Sequence, residues 1–228
     1  MSILESINDF RQKIGVDESS PILVKDVLSQ LHIFTVYREM SLGVKGMSLR
    51  NAEGQMAILV NSALPLGKQH ETIAHEWYHL FYDSSPQAHI CHDQGTYDTE
   101  RNATVFSKLL LLPEAGVQPY IRGVNMTNKE EVLRLVLVLE NRFRVSRDLV
   151  VSYLEEHALC SDEVMSFIRK DDCRVSSEKY GYGAKLYESG NANLVISDYE
   201  EKAKLLLKQQ TISRGHYNEL ITQLKGGK

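Results

Sequence analysis

Residues 75–79 read His75-Glu76-Trp77-Tyr78-His79, an H-E-x-x-H pentad. On a helix, positions i and i+4 lie on one face about one turn apart, so two imidazoles so spaced can grip one Zn2+. Glu76 follows the first histidine directly, where a general base for the same metal would stand. That is the core of a zinc peptidase. A catalytic zinc also needs a third protein ligand and one open position. The H-E-x-x-H-x-x-G-x-x-H pattern is excluded, because Tyr82 and Ser85 occupy its Gly and His positions. A G-T-x-x-D pattern is missed by one residue at Gly95-Thr96-Tyr97-Asp98. Glu100 is the better third ligand. His89, Cys91 and His92 form a competing cluster in the intervening loop, and any one of them stays open for that role. Tyr78, Tyr97, His89 and His92 are candidates for steadying an oxyanion, and the sequence does not choose among them.

The pentad needs a helix to hold it. No Gly or Pro interrupts Lys68 to Ser85, which predicts a helix of three to four turns. Thr72, His75, Glu76 and His79 share one face, and Ile73, Ala74, Trp77, Tyr78, Leu80 and Phe81 cover the rest. A helix apolar nearly all round is buried. Histidines and a glutamate buried on it require partners, and a metal supplies them. A second helical run, Glu100 to Leu112, is stopped by Pro113 and has Thr99 or Asp98 as its cap. Glu100, Ala103 and Ser107 fall on one face. The two small residues admit close approach to the pentad helix and so bring the Glu100 carboxylate to the metal.

Upstream, residues 3–14 read as an amphipathic helix, and residues 21–31 as a second one with Pro21 in its first turn. Residues 32–38, 44–50 and 56–61 alternate as strands, with Gly43, Gly46 and Gly54 at turns. The layout is α+β: a small zincin-like sheet with the active-site helices packed on it, followed by a mostly helical C-terminal region. A peptide substrate could add as an extra strand at a sheet edge. Three units are expected: a metallopeptidase domain at 1–115, a helical segment at 116–170, and a loop with a helical hairpin at 171–228. In the second unit, Asn128 to Phe143 and Ser146 to His157 resemble a helix-turn-helix. Residues 129–148 carry five bases and four acids, a weak footprint for DNA, so a packing role is favoured. In the third, Asp198 to Gln209 and Ser213 to Leu224 are amphipathic. Their Leu205, Leu206, Ile212, Tyr217 and Ile221 side is expected to pack on the core, with partner docking the sharper alternative.

The 228 residues carry a net charge of −4, which argues against bulk nucleic-acid affinity. Three scattered cysteines, Cys91, Cys160 and Cys173, fit a reducing cytoplasm without a disulfide framework. The first residues do not read as a signal peptide, and no apolar run approaches a membrane span. A cytoplasmic location follows as an expectation, and with it narrow specificity for one or a few proteins.

These motifs resemble the ImmA/IrrE family of regulatory metallopeptidases. Its usual F-T-x-A-H-E-x-x-H is matched by Thr72-Ile73-Ala74-His75-Glu76 and His79. Its E-x-x-A-N-x-F-A-x-x-L-L-M-P is matched at Glu100, Ala103, Phe106, Leu110, Leu111 and Pro113. The strand-like 56–61 also fits, and the resemblance spans roughly residues 30–115. It implies ligands His75, His79 and Glu100 on Zn2+, with Glu76 as base. It also implies proteolysis of a helix-turn-helix repressor or antitoxin encoded nearby. Glu71 replaces an aromatic or aliphatic residue, Thr104 an Asn, and Ser107 an Ala. Position 104 is where a hydrogen bond could orient a ligand. The competing expectations are a DNA-binding regulator reading DNA with residues 128–157, and a module that sequesters a partner without cutting it.

Overall fold

A computed structural model describes residues 1–41, 43–83, 89–92 and 98–224, with residues 89–92 described by their backbone alone. Its strands are β1 (Phe34–Arg38), β2 (Val44–Arg50), β3 (Met56–Asn61), β4 (His89–His92) and β5 (Val195–Ile196). They form one mixed sheet of order β4-β2-β3-β1-β5. β3 lies at its centre, parallel to β1 and antiparallel to β2. Its Ile58 and Val60 are buried, as strand alternation requires of a half-covered sheet. The fold is α+β, as the sequence implies.

The run at 89–92, expected as loop, is edge strand β4, paired antiparallel to β2 from Ser48↔His89 to Val44↔His92. Four residues are too few for alternation to register in sequence, and the pairing comes from the free edge of β2. β5 went unpredicted for the same reason, being two residues long.

Helix α1 (Ile3–Ile14) starts with a capping box: Glu5 N–H donates to Ser2 Oγ, and Ser2 N–H to Glu5 Oε2. α2 (Val24–Gln30) begins three residues beyond Pro21, not at it. Ile22 is buried in the core and the Ser20 carbonyl accepts from Arg11 Nη1, which keeps the chain there out of helix. α3 (Leu66–Phe81) carries the pentad and buries most of its surface, with Trp77 against Phe10 of α1 at 5.0 Å between ring centroids. α4 (Asp98–Leu111) begins two residues before Glu100, with both acids in its positively polarised first turn.

Seven more helices follow: α5 (Glu114–Ile121), α6 (Lys129–Phe143), α7 (Arg147–Glu156), α8 (Asp162–Lys170), α9 (Cys173–Lys179), α10 (Tyr199–Lys208) and α11 (Arg214–Leu224). Asn128 and Ser146 cap α6 and α7 with their side chains. One buried apolar cluster runs from Ile7 to Ile168. α10 and α11 are largely outside it. Leu205 and Leu206 are 53% and 38% exposed, and α11 buries no residue, which corrects the expected core packing of that face. The two helices contact each other, with only the short β5 and its flanks before them in the sheet. Among the described residues no helix is long and apolar enough to cross a membrane.

A buried ion cluster ties the later helices to one another. Glu140 of α6 is 0% exposed and accepts from Arg147 Nε at 2.9 Å and Tyr187 Oη at 2.7 Å. Arg147 Nη1 donates in turn to Asp171 at 2.5 Å. Burial pushes the Glu140 carboxyl up, and Arg147 and Tyr187 pull against that shift.

Candidate metal centre

α3 sits between the sheet and the α6–α7 turn because two glycines let it in. A Cβ on Gly46 of β2 would stand 2.6 Å from Thr72 Cγ2 and 3.1 Å from the Leu59 carbonyl oxygen. A Cβ on Gly67 would stand 2.8 Å from Ser146 N and 2.9 Å from Val145 C. Glu71 completes the second contact. Its Oε1 accepts from Ser146 N–H at 2.8 Å and its Oε2 from Lys68 Nζ at 3.2 Å. Lys68 also pairs with Asp148 at 3.0 Å. The departure at Glu71 is thereby explained: an aliphatic side chain could not close the N-terminus of α7.

Along the other flank α3 packs more extensively on α4 than on any other helix, with Ala103 and Ser107 buried between them. This brings Glu100 to the histidines. His75 Nε2 lies 3.2 Å from His79 Nε2 and 3.1 Å from Glu100 Oε2, and His79 Nε2 lies 3.5 Å from Glu100 Oε1. Two donors about 2.0–2.2 Å from one tetrahedral ion stand about 3.3–3.6 Å apart, close to these separations. Both histidines are buried, and Glu100 is partly so. Among the described residues no other trio of His, Cys, Asp or Glu side chains comes so close. The donor set, two imidazoles and one carboxylate, suits zinc and leaves a fourth position to water or substrate.

Sequence reasoning missed Asp83. Its Oδ2 accepts from His79 Nδ1 at 3.2 Å, one turn further along the chain. That bond puts the proton on Nδ1 and leaves the Nε2 lone pair for a metal. The i, i+4 spacing from His79 was the available signal. Thr104, expected to help orient a ligand, donates instead to the Glu100 backbone carbonyl at 2.9 Å. Its hydroxyl bonds one turn back along its own helix, a common habit of threonine.

Glu76 is 0% exposed and faces β2: its Oε1 lies 3.5 Å from where a Cβ on Gly46 would be. Tyr78 is buried against Phe106, Tyr82 and the edge of His79, with centroids 5.4–6.1 Å apart across this group. It forms a wall of the cluster. The side chains of His89 and His92, and the whole of Tyr97, lie outside the described residues.

The turn between α6 and α7 has Arg144 in the left-handed region at φ 57°. The start of α7, which would enter a DNA groove in a helix-turn-helix, lies against Gly67 and Glu71, and Arg147 there is turned inward onto Glu140.

Comparison with protein-family models matches residues 30–154 to Peptidase_M78, the IrrE N-terminal-like domain, over half of the chain and into α7. No curated protein matches.

Proposed function

The chain belongs to the ImmA/IrrE family of metallopeptidases, and we propose that it is a zinc-dependent endopeptidase with His75, His79 and Glu100 as ligands and Glu76 as base. The observation that carries this is the convergence of the three donor atoms, with Glu76 the residue next to His75 on the same helix. Bound zinc supplies Lewis acidity, polarising a carbonyl and lowering the pKa of water toward about 7. His79 is held in the ligating tautomer by Asp83. A Glu76 carboxylate oxygen takes the proton from the attacking water and returns it to the leaving amine nitrogen. The buried setting excludes bulk water and keeps the carboxylate from wandering. The outer edge of β4 offers backbone groups to an extended substrate strand.

The substrate class we infer is a cytoplasmic helix-turn-helix repressor or antitoxin. The motif resemblance supports it, and so does a cysteine pattern suited to a reducing compartment, with Cys160 and Cys173 free. Reading of duplex DNA by α7 is disfavoured by its docked N-terminus and by the exposed acids Asp148, Glu155 and Glu156 along it. Sequestration without cutting is the remaining alternative. The test is incubation of the zinc-loaded protein with the repressor-like protein encoded beside it, read by intact mass. Discrete fragments from the wild type and none from Glu76→Gln are expected. A stable complex that is never cut would replace this reading with sequestration.

A further inference from the structure

At the opposite end of α3 from the His75–His79–Glu100 cluster lies a cavity of about 520 Å3, within the range of small-molecule sites. Three cations line it: Lys25 of α2, Arg144 after α6, and Lys185 in the short 3-10 turn Lys185–Tyr187. One carboxylate, Asp26, is also in the lining, which leaves the pocket net positive in a chain of net charge −4. None of the three cations has a carboxylate within 4.0 Å among the described residues. Proximity to Arg144 and Lys185, after burial, holds the Lys25 ammonium below its usual range.

The Lys25 ammonium and the backbone at Arg144 are held by hydrogen bonds. Lys25 Nζ donates to Asn191 Oδ1 at 2.7 Å, and Asn191 Nδ2 donates to buried Gln69 at 2.8 Å. Lys185 lies two residues before Tyr187, whose hydroxyl is anchored on Glu140. Arg144 stands one turn after Glu140 in a left-handed conformation that favours Gly or Asn, and its carbonyl accepts from His70 Nδ1 at 2.8 Å. Like charges gathered around one cavity repel unless an anion lies between them. Leu23, Leu66 and Tyr182 add apolar wall beside the cations.

We propose that this pocket binds a small organic phosphate, its phosphoryl oxygens on Lys25, Arg144 and Lys185 and its apolar part on Leu23, Leu66 and Tyr182. Arginine and lysine suit phosphate through charge-assisted hydrogen bonds. A ligand there would bridge α2, α3, the end of α6 and the segment before β5, and so stabilise the assembled fold.

The test uses adenosine monophosphate as the phosphate probe and adenosine as its uncharged counterpart, with the full chain, by calorimetric titration and thermal unfolding. No peptide cleavage is involved, so the outcome is independent of the peptidase reading. Adenosine monophosphate should bind saturably and raise the unfolding midpoint, and adenosine should do neither. Lys185→Gln and Arg144→Asn should each weaken binding about tenfold, since each removes a charged hydrogen bond. Asparagine suits the left-handed backbone at 144, so folding is preserved there. No saturable binding of adenosine monophosphate or orthophosphate would overturn the proposal, as would variants that bind like the wild type.

Discussion

Two buried polar clusters share this fold, and they are built on opposite plans. Around Glu140 every strong donor meets an acceptor: Arg147 Nε and Nη2 and the Tyr187 hydroxyl reach the carboxylate, Nη1 reaches Asp171, and Nη2 also reaches Ser176 Oγ. The cluster closes on itself with protein atoms alone. Around His75, His79 and Glu100, like atoms meet instead, with two imidazole Nε2 atoms 3.2 Å apart beside a carboxylate. An arrangement rich in lone pairs calls for a cation from outside. Burial of polar groups therefore does not mark a site. What marks it is whether the donors and acceptors balance without a guest.

The strongest separation of the two should appear in catalysis. Glu76→Gln should slow substrate cleavage by about 10^2- to 10^4-fold, the typical worth of a general base, while bound zinc stays at wild-type level. Glu140→Gln alters an equally buried glutamate and should leave the cleavage rate per folded molecule unchanged. A rate lost equally in both variants would erase the distinction. Stability should show the reverse pattern. Arg147→Met leaves Glu140 buried without its cation and should cost about 3–5 kcal/mol in urea unfolding. Adding Glu140→Leu should recover much of that, because an apolar pair needs no counter-charge.

Chelation should act on the other cluster alone. Stripping zinc held at a hundredfold excess over its dissociation constant should lower stability by about 2.7 kcal/mol. His79→Ala should bind little zinc and should not respond to chelator, whereas Arg147→Met should respond as the wild type does. The smallest effect concerns pH. Burial holds the His70 imidazole below its ordinary range despite the bond to Arg144. The folded state therefore binds fewer protons there than the unfolded state. The stability it contributes is present above about pH 6.5 and is lost as pH falls from there toward the folded value. Urea midpoints taken from pH 7.5 down to 5.5 should fall less steeply for His70→Gln than for the wild type.

The metal cluster was legible because its chemistry is written in helical spacing. His75 and His79 are one turn apart, and Ala103 and Ser107 announce the close approach that delivers Glu100. The first three strands and the helices at 3–14, 129–143 and 147–156 were legible from period and caps. Other features depend on partners distant in sequence. β4 and β5 are too short to show a period and exist because an edge of β2 or β1 was available. α8 was not picked out within the expected helical segment, and α9 replaces part of the loop expected from residue 171, although Ser161 and Asp172 cap them. The exposure of Leu205 and Leu206 was illegible too, since an amphipathic face does not say what it meets. Glu71 looked like a mere departure from a motif until Ser146, 75 positions later, gave it a partner.

The contact of Gly67 with Val145 and Ser146 has a consequence for the order in which the molecule is made. Both motifs have left the ribosome's catalytic centre once Pro113 is added, yet the seat for the first turn of α3 has not been translated. At 5–20 residues per second, roughly 2–9 s separate the synthesis of Glu100 from that of Ser146. For that interval the donor atoms of α3 and α4 have been made, while the Val145–Ser146 seat for the first turn of α3 has not. The last support of the helix that carries both histidines is thus among the late-made parts of the matched segment.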